Sequence, residues 1–208
     1  ADPSAPLPLV VAMHGRGGTP ETFLENFREL PVPARVISRR APIDEGNGRA
    51  WFVFRHGGAR AIQDLRALVP RVMATLRSLL GGACGRPIAT GFSQGGMVAY
   101  ELALLEPDAF EAIFPVSAVR LGSVPTELPP HVPPIFAFHG TEDPIIALDA
   151  QQEDIVALRR AGAHAELTPI EGAPHWITRP VRDALYCAMT SVLTPTIAPD
   201  PPVPAIQE

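Results

Sequence analysis

The sequence has little cysteine, no long apolar run and no concentrated basic charge, and each lack removes a class of protein. Only two cysteines, Cys84 and Cys187, occur in 208 residues, too few for a disulfide framework, and neither sits in a CxxC or His-rich metal spacing. Both are expected to be buried thiols, the usual state of free cysteine. No apolar run reaches the ~18 residues of a membrane span. The net charge is −5, and the longest basic clusters are the pairs Arg39-Arg40 and Arg159-Arg160, so the electrostatic footprint of a nucleic-acid binder is missing. The expected partner is a neutral or weakly polar small molecule.

What is present suits one α/β unit. Apolar residues make up 46% and charged residues 19% of the chain, an ordinary globular balance, and a chain of this length buries roughly 70% of its unfolded surface as one domain. That domain is expected over residues 1–193, with a proline-rich, aperiodic tail over 194–208. Because the chain begins at Ala1 rather than Met, the expectation is a cytoplasmic protein or one whose secretory signal has been removed.

Short apolar runs alternate with longer amphipathic stretches, the order of a parallel α/β sheet. Strands are expected at Leu7–Met13, Ala34–Ser38, Pro87–Phe92, Ala112–Val116, Ile135–Phe138 and Ala165–Ile170, most of them continuously apolar, as strands buried on both faces are. Thr19-Pro20-Glu21 supplies an N-cap, a first-turn proline and an early acid for a helix to about Leu30. A helix over about Ala61–Leu80 carries an apolar stripe, which Pro70 should kink or divide. Further helices should start near Ser93, Leu148 and Pro180, the second ending on Arg159-Arg160 with Gly162 as a left-handed cap.

Gly91-Phe92-Ser93-Gln94-Gly95 is a G-x-S-x-G placed between a strand and a helix, the context in which a serine nucleophile sits on a sharp turn. A serine hydroxyl needs a base, and the base a carboxylate that fixes its tautomer. In the order expected for such a fold, Asp143 follows the strand Ile135–Phe138, and His175 follows Ala165–Ile170, both at the sheet edge that Ser93 occupies. Glu142 is the rival acid; Pro144 stiffens the turn just after Asp143. His164 lies at the opposite edge, and His56 and His131 in loops outside the order. His14 and His139 precede glycines at strand ends and read as structural hydrogen bonds holding the next turn. For the oxyanion, the Gln94 amide offers one donor, and the loop His14-Gly15-Arg16-Gly17-Gly18 the other.

The loop HGRGGTPE, the segment Trp51-Phe52, the elbow GFSQGGM, the acid loop FHGTEDPII and PHW follow one another as in the phospholipase/carboxylesterase family of α/β-hydrolases, which the chain resembles from about Leu7 to Leu193. That family also holds acyl-protein thioesterases and lysophospholipase-like enzymes. The resemblance implies an α/β-hydrolase fold with a mostly parallel sheet and helices on both faces. It further implies carboxylic-ester hydrolysis without metal or organic cofactor, the triad Ser93, Asp143 and His175, and an oxyanion hole from the amides of Arg16 and Gln94. Two departures, Gly18 where the family often has an acid and Pro174 where it often has glycine, leave the chemistry intact and carry over no protein-thioester or lysophospholipid specificity.

The stretch Ser117–Pro134 is proline-rich and has no helical stripe, so no large cap domain and an open cleft are expected, with short to medium acyl esters as substrates. Trp51, Phe52, Phe54 and Trp176 are candidate pocket walls, core packing being an equal reading for Phe52 and Phe54. Thioesterase, lysophospholipase and feruloyl-type esterase readings use the same chemistry. A binding protein that kept the fold but lost catalysis would show a missing triad member, and none is missing.

Overall fold

The computed structural model describes residues 7–54, 58–79 and 85–194. The expectations for Cys84, for His56 and for the tail beyond Thr194 concern residues outside that range. Six strands, β1 (Leu9–Met13), β2 (Arg35–Ser38), β5 (Ile88–Phe92), β6 (Ala112–Val116), β7 (Ile135–Gly140) and β8 (Ala165–Ile170), pair in parallel in the order β2-β1-β5-β6-β7-β8. Every expected strand is there. The central strands β1 and β6 are buried along their whole length, whereas the edge strands β2 and β8 are not, as continuous and mixed apolar runs dictate.

Residues alternate between the two faces of the sheet. Leu9, Val11 and Met13 of β1 enter the core beneath α2 (Gly58–Leu79), α3 (Gln94–Leu105) and α4 (Leu148–Arg160). Val10 and Ala12 enter the opposite core, beneath α1 (Pro20–Leu24) and α5 (Arg179–Leu193). Thr19 caps α1 through Thr22 with Pro20 in its first turn, and the chain continues as a 3₁₀ turn, Glu25–Phe27. Gly162, at φ 98°, follows α4 as expected.

Two expectations are corrected. Pro70 does not divide α2, which runs unbroken for 22 residues. A proline inside a helix costs about 3 kcal/mol, but Leu65, Leu68, Val69, Val72, Met73 and Leu76 are all at most 5% exposed, and each such burial contributes about 1.5–3 kcal/mol. Cys187 is exposed rather than buried, because α5 turns Leu185, Tyr186 and Met189 inward and leaves position 187 outside.

A small antiparallel hairpin, β3 (Ile43–Glu45) and β4 (Gly48–Ala50), stands apart from the main sheet. Its two-residue turn opens with Gly46 at φ 58°, the left-handed conformation tight hairpins require. Among the described residues no helix is long and apolar enough to cross a membrane.

Candidate active site

The sheet order reverses at β1, whose neighbours are β2 and β5. Loops leaving β1 and β5 therefore diverge at one edge, where open α/β sheets bind ligands. Ser93 stands there between β5 and α3, at φ 52° and ψ −118°, a conformation costly for a residue with a side chain. Its amide is tied to the Val116 carbonyl at 2.9 Å. A Cβ on Gly95 would lie 2.0 Å from the Met13 carbonyl oxygen, and one on Gly91 2.3 Å from the Gly95 backbone; only glycine lets the turn close.

Ser93 Oγ is 3.0 Å from His175 Nε2, and His175 Nδ1 is 2.6 Å from Asp143 Oδ2. The other carboxylate oxygen accepts from the amides of Ile145 and Ile146, each at 2.9 Å. Burial opposes charge on Asp143, but the Ile146 amide, the His175 ring and the Ile145 amide outweigh it and hold the carboxyl below its ordinary value. The acid and histidine loops are bound to each other. Glu142 N–H donates to Ala173 O and Gly172 N–H to Thr141 Oγ1. Glu142 itself is exposed.

On the other side of Ser93, Gly17 N–H donates to Arg49 O at 2.8 Å and Arg49 N–H to Gly18 O at 2.9 Å, so β4 clamps the loop after β1. Among the described residues neither the Arg16 amide nor the Gln94 amide has a backbone acceptor. Both are free to donate to an anion. The Arg16 guanidinium is paired with Glu45 at the surface.

His14 and His139 hold turns, as their positions suggested. Nδ1–H of His14 donates to Gly15 O at 2.7 Å and Nε2 accepts from the Ala41 amide at 3.4 Å; burial lowers its pKa and keeps the ring neutral. His139, fully buried, reaches Ile146 O at 2.8 Å, Gln151 and Asp143.

Beside the site lies a cavity of about 470 Å³, bounded by the loop His14–Gly18, Thr22, Phe23, Asn26, Phe92, Trp176 and Ile177.

The family model described as Phospholipase/Carboxylesterase matches residues 2–185. The chain belongs to the phospholipase/carboxylesterase family. NocK of Nocardia uniformis subsp. tsuyamanensis, whose name carries the word esterase, is 32% identical over 162 residues, which make up 72% of this chain and 45% of NocK. The chain thus spans less than half the length of that curated relative. Among solved structures, esterase PE8 is 24% identical with a TM-score of 0.79, over 91% of this chain and 94% of PE8. Acyl-protein thioesterase 2 of Zea mays is 16% identical with a TM-score of 0.72, over 91% and 95%. At these identities the likeness shows the α/β-hydrolase fold.

Within this phospholipase/carboxylesterase member, the structure brings Ser93, Asp143, His175, Arg16 and Gln94 together at one sheet edge, and Trp176 on the cavity wall. It does not bring Trp51 or Phe52 there. Both are 1% exposed, and the reading of them as pocket walls is corrected. The reason is the Gln94 side chain, which accepts from Trp51 N–H and donates to Phe52 O, each at 3.0 Å, while the Trp51 indole donates to His14 O at 2.7 Å. Trp51 and Phe52 thus brace the turn at Ser93 and the loop after β1 from beneath. Phe54 is half exposed beside Phe52, outside the cavity wall. His164 and His131 are exposed away from the site. The hairpin clamp was not read from the sequence; the turn residues Gly46 and Asn47 were the available signal.

Proposed function

We propose that the protein is a serine carboxylesterase that hydrolyses short to medium acyl esters through an acyl-enzyme. The observation that supports this reading is the unbroken line from Asp143 through His175 to Ser93, with contacts of 2.6 and 3.0 Å. A proton on Nδ1 shared with Asp143 leaves Nε2 free to accept the proton of the Ser93 hydroxyl.

Ser93 Oγ attacks the ester carbonyl carbon as its proton passes to His175 Nε2, and the carbonyl π pair moves onto oxygen. The amides of Arg16 and Gln94 stabilise that oxyanion, each such donor being worth about 10²–10³ in rate. Collapse of the tetrahedral species breaks the bond to the alcohol oxygen, which takes the proton from His175 and leaves. Water then repeats the sequence on the acyl-enzyme, releasing the carboxylic acid and restoring Ser93. The buried, charge-stabilised Asp143 offsets the imidazolium formed in each step. An open cavity with no cap over it among the described residues favours short and medium esters over long lipid chains, and Trp176 supplies an apolar wall.

Rapid mixing with p-nitrophenyl acetate tests the reading: a burst of nitrophenolate matching the enzyme concentration, then slower turnover, is expected. An ester series up to palmitate should peak at short to medium chains. A thioester strongly preferred over its oxygen ester would move the substrate class to acyl-thioesters. Absence of turnover on all of them would make the chain a non-catalytic member of its fold.

A further inference from the structure

The proton that His175 takes from Ser93 is returned to the departing oxygen, so the alcohol half of an ester must leave on the His175 side of the tetrahedral centre. The cavity opens on that side. Trp176 follows His175 directly, Ile177 continues the same wall, and Phe92 packs on the His175 ring with centroids 4.8 Å apart. Phe23 closes the space from α1, and the facing wall is the glycine-rich oxyanion loop. Of the lining residues only Arg16 carries a full charge, and Glu45 already holds its guanidinium outside. The space of about 470 Å³ therefore suits a bulky, uncharged, aromatic or branched group, and the one charged side chain at its wall is already paired.

We propose that this cavity is the leaving-group subsite and takes the apolar alcohol or phenol half of the substrate, up to the size of a naphthyl ring, while the acyl half lies on the opposite side of Ser93. This rests on the reading of Ser93 as nucleophile. It makes the protein an esterase selective for the alcohol it releases more than for the acid.

The test separates the two halves of the ester. Phenyl and 2-naphthyl acetate have leaving groups of nearly equal acidity and give the same acetyl-enzyme, so their kcat/KM ratio reports the alcohol subsite; phenyl hexanoate over phenyl acetate reports the acyl side. Trp176 is 69% exposed, so Trp176→Ala is not expected to disturb the fold. The naphthyl to phenyl ratio should fall by about tenfold in this variant, the scale set by apolar pocket contacts, with a much smaller change in the hexanoate to acetate ratio. Phe54→Ala, an exposed aromatic outside the cavity, should move neither ratio. An unchanged naphthyl to phenyl ratio in Trp176→Ala, or a change confined to the acyl ratio, overturns the proposal and leaves the nucleophile reading standing. If Ser93→Ala still hydrolyses both acetates at the normal rate, the nucleophile reading falls and the proposal with it.

Discussion

The buried ring of His139 sets its Nε2 3.3 Å from Oδ2 of Asp143, the oxygen that also meets His175. The same nitrogen lies 2.8 Å from Ile146 O, so one histidine at the end of β7 braces both ends of the acid turn. Its Nδ1 contacts Gln151, whose amide donates to the Tyr100 hydroxyl on α3 at 2.9 Å. The turn that carries the carboxylate is thus tied, through Ile146 O, to a buried network that spans α3, β7 and α4.

That arrangement makes the acid testable. In Asp143→Asn the side-chain carbonyl can keep the two amide bonds from Ile145 and Ile146, which turns the NH₂ group toward His175 Nδ1. Nδ1 must then accept, the ring proton moves to Nε2, and the base can no longer take the Ser93 proton. The expected loss in kcat is about 10⁴, as in the analogous triad change of the serine proteases. Glu142→Gln, at an exposed position, removes only a screened charge and should cost less than about tenfold. Steady-state kinetics on p-nitrophenyl acetate decides; a larger loss at Glu142 would mean the acid is misassigned.

Asp154 gives a prediction about stability. Burial pushes its carboxyl up to about 6 despite the bond from the Arg120 amide at 2.6 Å. Between the unfolded value near 4 and the folded value, the native state binds more protons than the unfolded one, so this group makes stability fall as pH rises through that window. Asp154→Asn stays neutral and keeps an acceptor for Arg120. The melting temperature of the variant relative to wild type should therefore climb from pH 4 to pH 6 and level off above about pH 7. A difference that stays flat across this range would contradict the assignment.

The hairpin clamp is testable at Gly48, where a Cβ would lie 1.9 Å from the Gly17 carbonyl oxygen. Gly48→Ala must push the loop away from β4 and carry the Arg16 amide with it. The expected result is a fall in kcat of about 10², the value of one oxyanion donor, with the circular dichroism spectrum of the folded protein retained. Activity within about twofold of wild type, well short of that donor's worth, would show that the clamp does not position the loop.

Much of the fold was legible because its central strands are short apolar runs buried on both faces, and a run such as Ile88–Phe92 ahead of Ser93 has few other uses. The loops carrying Ser93, Asp143 and His175 could be placed together because parallel strands send all their carboxyl ends to one edge. Trp51 and Phe52 were misread because their burial depends on Gln94, more than forty positions away; an aromatic pair beside a loop looks the same as pocket wall or as core. Three-residue strands such as β3 and β4 are too short for any period to emerge. Pro70 does not divide α2 because tertiary burial outweighs a local penalty.

The most direct measurement is labelling with a fluorophosphonate followed by peptide mass mapping. Ser93 Oγ should displace fluoride from phosphorus and leave one phosphonyl group per chain, on the peptide that holds Ser93, and Ser93→Ala should take no label while remaining folded. A label on another residue, or labelling of Ser93→Ala at the wild-type rate, would contradict the account.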